Sequence, residues 1–354
     1  MTAQPRVRPF PARGIDELAD APYDGVLASL GFERRSRDIP AAVDPTPSAV
    51  AVPFGDRHED TFAENKEWFD DHEWEQPQFE EAEYFAWVDA WLQARAEEAS
   101  GVARVAVDVS STSRYRMAAV IEALLSLPPE TRLEVDFLYA PARFEEPSSE
   151  DEPPVFSVAP VSGYFAGWWR ALEAPLYAII GVGYELERAS CAINMLEPER
   201  AEVYVPDGND PRYLEEVRKA NRGLMETRGV EHEVLYDVGD PFSCFRQLEA
   251  SISRLERDQR VAIVPLGPKI FAVCAILAGG LHLDSTQVIR ITAGERQRPI
   301  PRESDGNVYG LTLSFSPTTL QEGDGLPEER ANARADADAE ESAHTNRQVG
   351  EQQA

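Results

Sequence analysis

The sequence predicts an α/β protein built from two tandem, duplicated units, each with a mainly parallel sheet. Short runs of β-branched residues alternate with longer amphipathic segments, which is typical of βα units. One phrase closes the first predicted strand of each half, as SLGFERRS at 29–36 and IGVGYELER at 180–188. The 354 residues are enough for two domains of ordinary size. We therefore expect two Rossmann-like units in a pseudo-two-fold arrangement.

The elements follow in the same order in both halves. The predicted strands of the first half are Gly25–Leu30, Ala49–Val52, Arg104–Val109 and Arg132–Tyr139, and its helices are Thr61–Phe69, Glu81–Glu98 and Arg114–Leu127. The second half has strands at Leu176–Val182, Ala201–Val205, Glu233–Tyr236, Val261–Val264 and Gln287–Thr292, and helices at Glu185–Leu196, Pro211–Glu226, Pro241–Arg257 and Lys269–Leu281. The run NVYGLTLSF at 307–315 is predicted to be a final edge strand.

Conserved spacing between landmarks supports the duplication. From the aromatic residue of the repeated phrase to the proline that ends the next strand is 21 residues in the first half and 22 in the second. Asn65 precedes Arg104 by 39 residues, and Asn221 precedes Arg260 by 39 residues. A repeat with constant order and spacing favours internal duplication over a chance match of apolar runs.

Composition sets the expected domain boundaries. We expect an N-terminal extension at 1–22, a first unit at 23–144, a linker and packing segment at 145–172, a second unit at 173–318 and a disordered acidic tail at 319–354. The linker begins with the acidic stretch EEPSSEDEPP. The tail has few apolar residues, and from Leu320 onward it holds nine acidic residues against three arginines, so it cannot bury enough surface to fold.

The charge balance restricts the partners. The net charge is −29, with 63 acidic and 34 basic residues, and only three of the latter are lysines. Such a surface repels polyanions, so we expect no duplex nucleic acid as the main partner, whereas a small anion in a locally basic pocket remains compatible. The absence of an apolar leader or of a long apolar segment predicts a cytoplasmic protein that does not enter a membrane.

Nothing in the sequence indicates a metal or another cofactor. Cys191, Cys244 and Cys274 are isolated in apolar contexts and are predicted to be reduced core residues. His58 and His72 lie beside carboxylates, but without a second ligand cluster a solvated acidic loop is the better interpretation. We therefore expect no cofactor.

The first candidate site follows the first strand of each half. In a parallel sheet, ligands bind outside the carboxyl ends of the strands. This places Phe32, Glu33 and Arg35 in one half, and Tyr184 and Glu185 in the other, at the ligand edge. The aromatic rings are suited to stacking on bases and the glutamates to accepting from a base edge or ribose. For each phrase alone an ordinary βα turn is the favoured interpretation, and the repetition in both halves brings the ligand-binding interpretation level with it.

The second candidate site follows the fourth strand. In DVSSTSRYR (108–116), Ser110 and Ser111 supply hydroxyls and Arg114 opens the helix. In PLGPKIFA (265–272), Gly267 permits a tight turn, and Lys269 is a rare lysine at a strand-to-helix junction. Hydroxyls and cations here suit ribose and phosphate oxygens, while simple helix N-capping is the structural alternative.

Other patterns favour packing over chemistry. GVG at 181–183 lacks the third glycine of the dinucleotide fingerprint, and no phosphate-binding P-loop motif is present. EYFAWVDAWL (83–92) and GYFAGWWRAL (163–172) have helical spacing and are predicted to pack in the core, with a base-stacking platform as the alternative.

The second turn resembles a motif of CRISPR-associated Rossmann-fold (CARF) sensor domains, D-x-[ST]-x-x-x-[RK]. Asp108, Ser110 and Arg114 match it, whereas the second half matches only through Gly267 and Lys269 and has no aspartate at the first position. Two such units fused in one chain are similar to SAVED domains. The resemblance implies that one cyclic oligonucleotide lies across the pseudo-two-fold axis.

These observations lead to three functional hypotheses. The first is a sensor or recognition subunit in prokaryotic antiviral defence, which binds a small nucleotide-like ligand and acts on an effector protein, since we find no effector segment within the chain. The second is a nucleotide-processing enzyme, a ring nuclease, phosphodiesterase or transferase, that uses the same cleft. The third is a structural subunit without a ligand.

Overall fold

The fold is α/β, with two six-stranded, mainly parallel sheets and helices packed against them, and the predicted fold class is confirmed. The computed structural model describes residues 5–19, 22–43, 46, 48–55, 61–146, 155–167, 173–184, 188–293 and 302–317. The expected disordered tail lies outside these residues. None of the described helices is long and apolar enough to cross a membrane.

Strands and helices alternate over most of the described chain. The strands are β1 (Arg6–Gly14), β2 (Gly25–Leu30), β3 (Ala49–Pro53), β4 (Ala103–Asp108), β5 (Leu133–Tyr139), β6 (Val155–Pro160), β7 (Leu176–Gly181), β8 (Arg200–Asp207), β9 (Val230–Asp237), β10 (Arg260–Pro265), β11 (Thr286–Ala293) and β12 (Asn307–Phe315). The α-helices are α1 (Asp38–Ala42), α2 (Phe62–Asp71), α3 (Tyr84–Glu98), α4 (Arg114–Leu125), α5 (Arg188–Leu196), α6 (Pro211–Ala220), α7 (Arg222–Met225), α8 (Pro241–Leu255) and α9 (Lys269–Leu281). Short 3-10 helices lie at Ile15–Leu18, Arg34–Arg37, Glu81–Glu83 and Tyr164–Ala166.

Five adjacent strands correspond between the two sheets, whereas β1 and β9 have no counterpart. The first sheet has the order β1-β12-β5-β4-β2-β3, and the second has β6-β11-β10-β7-β8-β9. Strands β2, β3, β4 and β5 therefore occupy the positions of β7, β8, β10 and β11, and α4 corresponds to α9. The parallel pairs keep every carboxyl end at one edge of each sheet, which is the edge where α/β proteins bind ligands.

Two strands form where the sequence indicated none. β1 lies in the expected N-terminal extension and β6 in the expected linker. β1 (RVRPFPARG) is rich in arginine and proline, and Phe10 is its one buried residue. An edge strand tolerates proline because one of its sides needs no ladder hydrogen bonds, so the β1 sequence carries little strand signal.

The last strand contradicts the sequence-based prediction. We expected 307–315 as an edge strand of the second unit, but β12 lies inside the first sheet, antiparallel to both β1 and β5. Conversely, β6 follows β5 along the chain and pairs antiparallel with β11 of the second sheet. The halves thus exchange their antiparallel strands. Chain order alone cannot reveal such an exchange, because both strands have the same period-two pattern in either sheet.

The segments that lead out of β5 and into β12 pair where they cross. The Arg143 amide donates to the Glu303 carbonyl (2.8 Å), and the Asp305 amide donates to the Pro141 carbonyl (3.0 Å). Ala142 lies opposite Ser304 in an antiparallel bridge. The two segments are therefore joined by a short antiparallel bridge where they cross.

Helices α4 and α9 join the halves through one core. Residues Ile270 to Gly280 of α9 are all buried, as expected for a helix that is apolar on every side. A Cβ added at Gly280 would lie 2.6 Å from Leu125 Cδ1 of α4, so the two helices pack closely at this glycine. The main buried cluster contains residues of both halves, including Val120 and Phe271.

His282 gives the fold a pH-dependent contact. It caps α9, with Nε2 3.2 Å from Glu249 and Nδ1 2.9 Å from Glu256, and Ser285 lies beside Glu256. The Glu249 carboxylate, supported by Glu256 and opposed by burial, raises the His282 pKa to about 9. We expect protonated His282 to stabilise the fold fully below the unfolded-state pKa of about 6.5. This contribution to the free energy of unfolding should disappear as pH rises through about 9.

The expected loss of unfolding free energy between pH 6 and pH 9.5 is about 1 kcal/mol, because solvent screens a half-buried group. Urea denaturation at both pH values measures it, with His282→Gln as the comparison. A His282→Gln variant that loses the same free energy over this interval would contradict the assignment.

Candidate functional site

A cavity of about 1000 Å³ opens at the carboxyl ends of the strands, between the two halves and the crossing segments. We call it the basic cavity. Its walls include Phe32, Glu33, Arg35, Arg114, Tyr184, Gly267 and Lys269 from the set of site residues that the sequence predicts. The structure therefore gathers both candidate turns of both halves around one space.

Two buried asparagines shape the turns after β2 and β7. The Asn65 amide donates to the carbonyls of Gly31 and Glu33, both at 2.9 Å. The Asn221 amide donates to the Gly183 carbonyl at 2.8 Å. These are the two asparagines that the sequence repeat aligns. Asn221 also separates α6 from α7, so the single helix predicted at 211–226 is broken there.

Arg35 is held inside the protein. It is 4% exposed, its Nε lies 2.6 Å from the Glu33 carboxylate, and its Nη1 donates to the Ala140 carbonyl at 3.0 Å. A buried, paired guanidinium is already neutralised. Arg35 and Glu33 thus fix the wall of the cavity, and their charges largely cancel.

Arg114 and Lys269 reach across to the opposite half. The Arg114 guanidinium donates to the carbonyls of Pro265 and Gly267, the latter at 3.1 Å. The Lys269 ammonium donates to the Thr112 carbonyl at 2.8 Å. These bonds are reciprocal, because each cation opens a helix and binds the turn before the equivalent helix. Both cations also border the cavity.

Gly267 is required by its backbone conformation. Its φ is +73°, and an added Cβ would lie 2.2 Å from the Val182 carbonyl oxygen. Only glycine adopts this conformation at no steric cost. The residue therefore lets the β10–α9 turn approach the β7 turn closely.

The hydroxyl residues after β4 do not face the basic cavity. Ser110 is fully buried, and its hydroxyl accepts from the Ala140 amide at 2.9 Å. Ser111 borders a second cavity instead. Ser113 caps α4 by accepting from the Arg116 amide at 3.2 Å. The structural alternative, helix capping and turn formation, accounts for this run, because backbone amides at the turn need these acceptors. Glu185 lies outside the described residues.

Three aromatic residues, Tyr184, Tyr213 and Phe144, line the basic cavity together, and sequence reasoning missed the last two. The rings of Tyr184 and Tyr213 are stacked, with centroids 5.5 Å apart and an interplanar angle of 18°. Phe144 meets Tyr213 edge-on at 5.2 Å, and the Arg212 guanidinium lies 4.4 Å from the Phe144 ring. No motif marks Tyr213 or Phe144, which come together only through the crossing segment.

Both tyrosines remain neutral donors. Burial is the main cause that raises the pKa of Tyr213 to about 12 and that of Tyr184 well above its usual value. The charge of Arg302 opposes both shifts, so its guanidinium lies near both hydroxyls. Within the described part of the chain, the Tyr184 hydroxyl has no hydrogen-bond partner. That hydroxyl is buried, and the Tyr213 hydroxyl donates to the Ala142 carbonyl, so neither hydroxyl is presented to a ligand in this structure.

The basic cavity concentrates positive charge. Among the described residues, eight cations and three carboxylates line it. The cations are Arg35, Arg114, Arg143, Arg188, Arg212, Lys269, Arg290 and Arg302. The carboxylates are Glu33, Asp210 and Asp305, of which Glu33 and Asp210 are paired with arginine. No cluster of His, Cys, Asp or Glu suited to a metal occurs in the described ranges.

Asp108, the last residue of β4, is a buried carboxyl group whose pKa is raised. It is 1% exposed, and its Oδ1 accepts from the Ser110 amide. Burial raises its pKa to about 7, against the bonds to Ser110 and the Arg35 charge, and Asp38 adds to the increase. The unfolded chain loses this proton near pH 4, so the contribution to stability is highest below pH 4 and falls as pH rises through about 7.

We therefore expect Asp108→Asn to unfold like the wild type near pH 4.5 and to be more stable by about 2–4 kcal/mol at pH 8. Chemical denaturation at the two pH values measures the difference. An equal difference at both pH values would show that Asp108 does not titrate as described.

Comparisons with known proteins leave the function open. No protein-family profile and no curated protein sequence matches the chain. A type III CRISPR defence DNA nuclease activated by cyclic oligoadenylate is similar over 75% of this chain, which spans 66% of that chain, with 10% identity and a TM-score of 0.40. A T. thermophilus 16S rRNA methyltransferase in complex with AdoMet and guanosine is similar over 87% of this chain and 98% of that chain, with 9% identity and a TM-score of 0.20. At these scores, neither likeness supports a functional conclusion.

Proposed function

We propose that the protein binds an anionic, nucleotide-like ligand in the basic cavity. One observation carries the proposal: a chain with a net charge of −29 gathers eight cations against three carboxylates around one cavity. Like charges repel, so such a concentration is costly unless a counter-charge is bound. A cleft with low-dielectric walls focuses this potential and attracts small anions despite an acidic exterior.

The phosphate end of the ligand belongs near Arg302. Its side chain makes no hydrogen bond or ion pair with any residue in the described ranges. Its charge acts on Tyr184 and Tyr213, which both keep their protons. A guanidinium provides several donors for phosphate oxygens.

The base end belongs on the three aromatic residues. Tyr184 and Tyr213 are partly exposed, their rings are stacked on each other, and Phe144 meets Tyr213 edge-on. Stacking of a base on such a ring contributes about 1–3 kcal/mol and tolerates different bases. The cavity thus combines phosphate donors with a stacking surface, which are the two requirements of a nucleotide site.

The biological role rests on the sequence resemblance to CARF and SAVED domains. A sensor or recognition subunit in antiviral defence, with an effector protein as its partner, is the role we propose for this binding activity. No observation of the cavity favours turnover of the ligand over binding, so the enzyme hypothesis is addressed by the same experiment.

Isothermal titration calorimetry with AMP, ATP and cyclic oligonucleotides tests the proposal. We expect binding to at least one of these probes, and Arg302→Ala to weaken it about 10–100-fold, the scale of a charge-assisted hydrogen bond. Arg302 is a sharper probe than Arg114 or Lys269, whose side chains also hold the opposite half.

Arg200→Ala is the matched control. Arg200 pairs with Glu231 on the surface at the start of β8, away from the carboxyl edge, and its loss removes the same charge. Equal weakening by both variants, or no heat with any probe, would refute the proposed site. Mass spectrometry of the recovered ligand distinguishes binding, which leaves it unchanged, from turnover.

A further inference from the structure

A second cavity lies at the equivalent edge of the first sheet. It is lined by the turn after β2, the end of β3 and the residues before α4, which correspond to the turn after β7, the end of β8 and the residues before α9 in the basic cavity. Lys269 and Arg290 of the second half border it and also line the basic cavity, as do Phe32 and Glu33 of the first half. The duplication thus produced two related cavities.

The charges of the two cavities differ. The second one, which we call the neutral cavity, is lined by four carboxylates and four cations among the described residues. Glu80, Glu81 and Glu83 all come from the segment that leads into α3. Lys66 is itself paired with Asp70, at 2.6 Å. The neutral cavity therefore lacks the excess of positive charge that would attract an anion.

Glu81 occupies the place of an anion in the neutral cavity. Its carboxylate accepts from Nε (3.0 Å) and Nη2 (2.7 Å) of Arg116, the third residue of α4. The remaining donors of Arg116 bind the carbonyls of Val52 and Pro53, each at 2.9 Å. Arg116 is 1% exposed, so its guanidinium is fully used within the chain. The bidentate geometry is the one that arginine adopts with a phosphate or carboxylate ligand.

In the described part of the second half, the segment before the equivalent helix supplies no such anion, and the internal pair that this half gives to the basic cavity is Asp210 with Arg212 instead. α8 is the equivalent of α3, and the segment before α8 places the uncharged Val238 at the wall of the basic cavity. At the position of Arg116, two residues after the helix-opening cation, α9 carries the buried Phe271. The duplicated frame is thus preserved while its electrostatics have diverged.

We propose that the protein holds its ligand on one side only. One nucleotide-like anion without two-fold symmetry, such as a mononucleotide or a linear dinucleotide, binds per chain in the basic cavity, and Glu81 neutralises Arg116 in the neutral cavity. This inference rests on the proposed function, and it differs from the expectation that a symmetric ligand spans both halves. A two-fold symmetric ligand needs matching donors in both cavities, and Arg116 of the neutral cavity is already bound to Glu81 and to two carbonyls.

Calorimetry with linear 5′-phosphorylated diadenylate and cyclic di-adenylate tests the inference. We expect one equivalent of the linear probe to bind, at least tenfold more tightly than the symmetric cyclic probe. Tyr213→Ala should weaken the linear probe at least fivefold, whereas Lys66→Ala, which removes a cation of the neutral cavity, should change its affinity less than twofold. In Glu81→Gln, which keeps an acceptor for Arg116 but removes the charge, a second equivalent should bind.

The outcomes separate this inference from the proposed function. Binding of neither probe to the wild type overturns this inference, and it overturns the proposed function as well only if AMP and ATP also give no heat. Tighter binding of the cyclic probe, or equal losses in Tyr213→Ala and Lys66→Ala, overturns the one-sided arrangement and leaves the proposed site intact. A stoichiometry that stays at one in a folded Glu81→Gln protein overturns the role given to Glu81. The comparison of Tyr213 with Lys66 does not depend on whether Glu81→Gln folds.

Discussion

Each sheet is completed by an antiparallel strand that the other half of the chain supplies. The halves cannot separate without breaking the ladder hydrogen bonds of β12 with β5 and of β6 with β11. The exchange also forces the segment after β5 and the segment before β12 to cross, and their pairing places Phe144 and Arg302 at the rim of the basic cavity. The site therefore depends on the exchange as much as on the sheets themselves.

The cations of the site do structural work before any ligand binds. Arg114 and Lys269 each satisfy carbonyls in the turn of the opposite half, and Arg35 is paired with Glu33. These contacts reduce the repulsion among positive charges that an empty cavity would otherwise bear. Arg302 is different, because it faces the tyrosine pair without an ion pair in the described part of the chain. Arg35, Arg114 and Lys269 thus stabilise the fold, whereas the Arg302 side chain lies at the basic cavity without such a structural contact among the described residues.

The turns and helix contacts are the same in both halves, whereas the charges at the strand ends differ. The paired asparagines and the helix-opening cations remain equivalent, because both halves need the same turns and the same contact between α4 and α9. The anion positions have diverged, with Glu81 bound to Arg116 in one half and the uncharged Val238 at the wall in the other. The two halves thus remain symmetric where the backbone geometry of the turns is the same, while their charges at the strand ends differ.

The sequence by itself determined the α/β class, most of the parallel strands and the repeat, since these follow from local periodicity and constant spacing. It also located both turns and seven residues of the cavity wall, because parallel strands end at a common edge. Only the tertiary structure decided that Ser110 is buried, that β12 joins the first sheet, and that Tyr213 and Arg302 share a cavity. These outcomes depend on contacts between residues far apart in the chain, for which a single sequence carries no local signal.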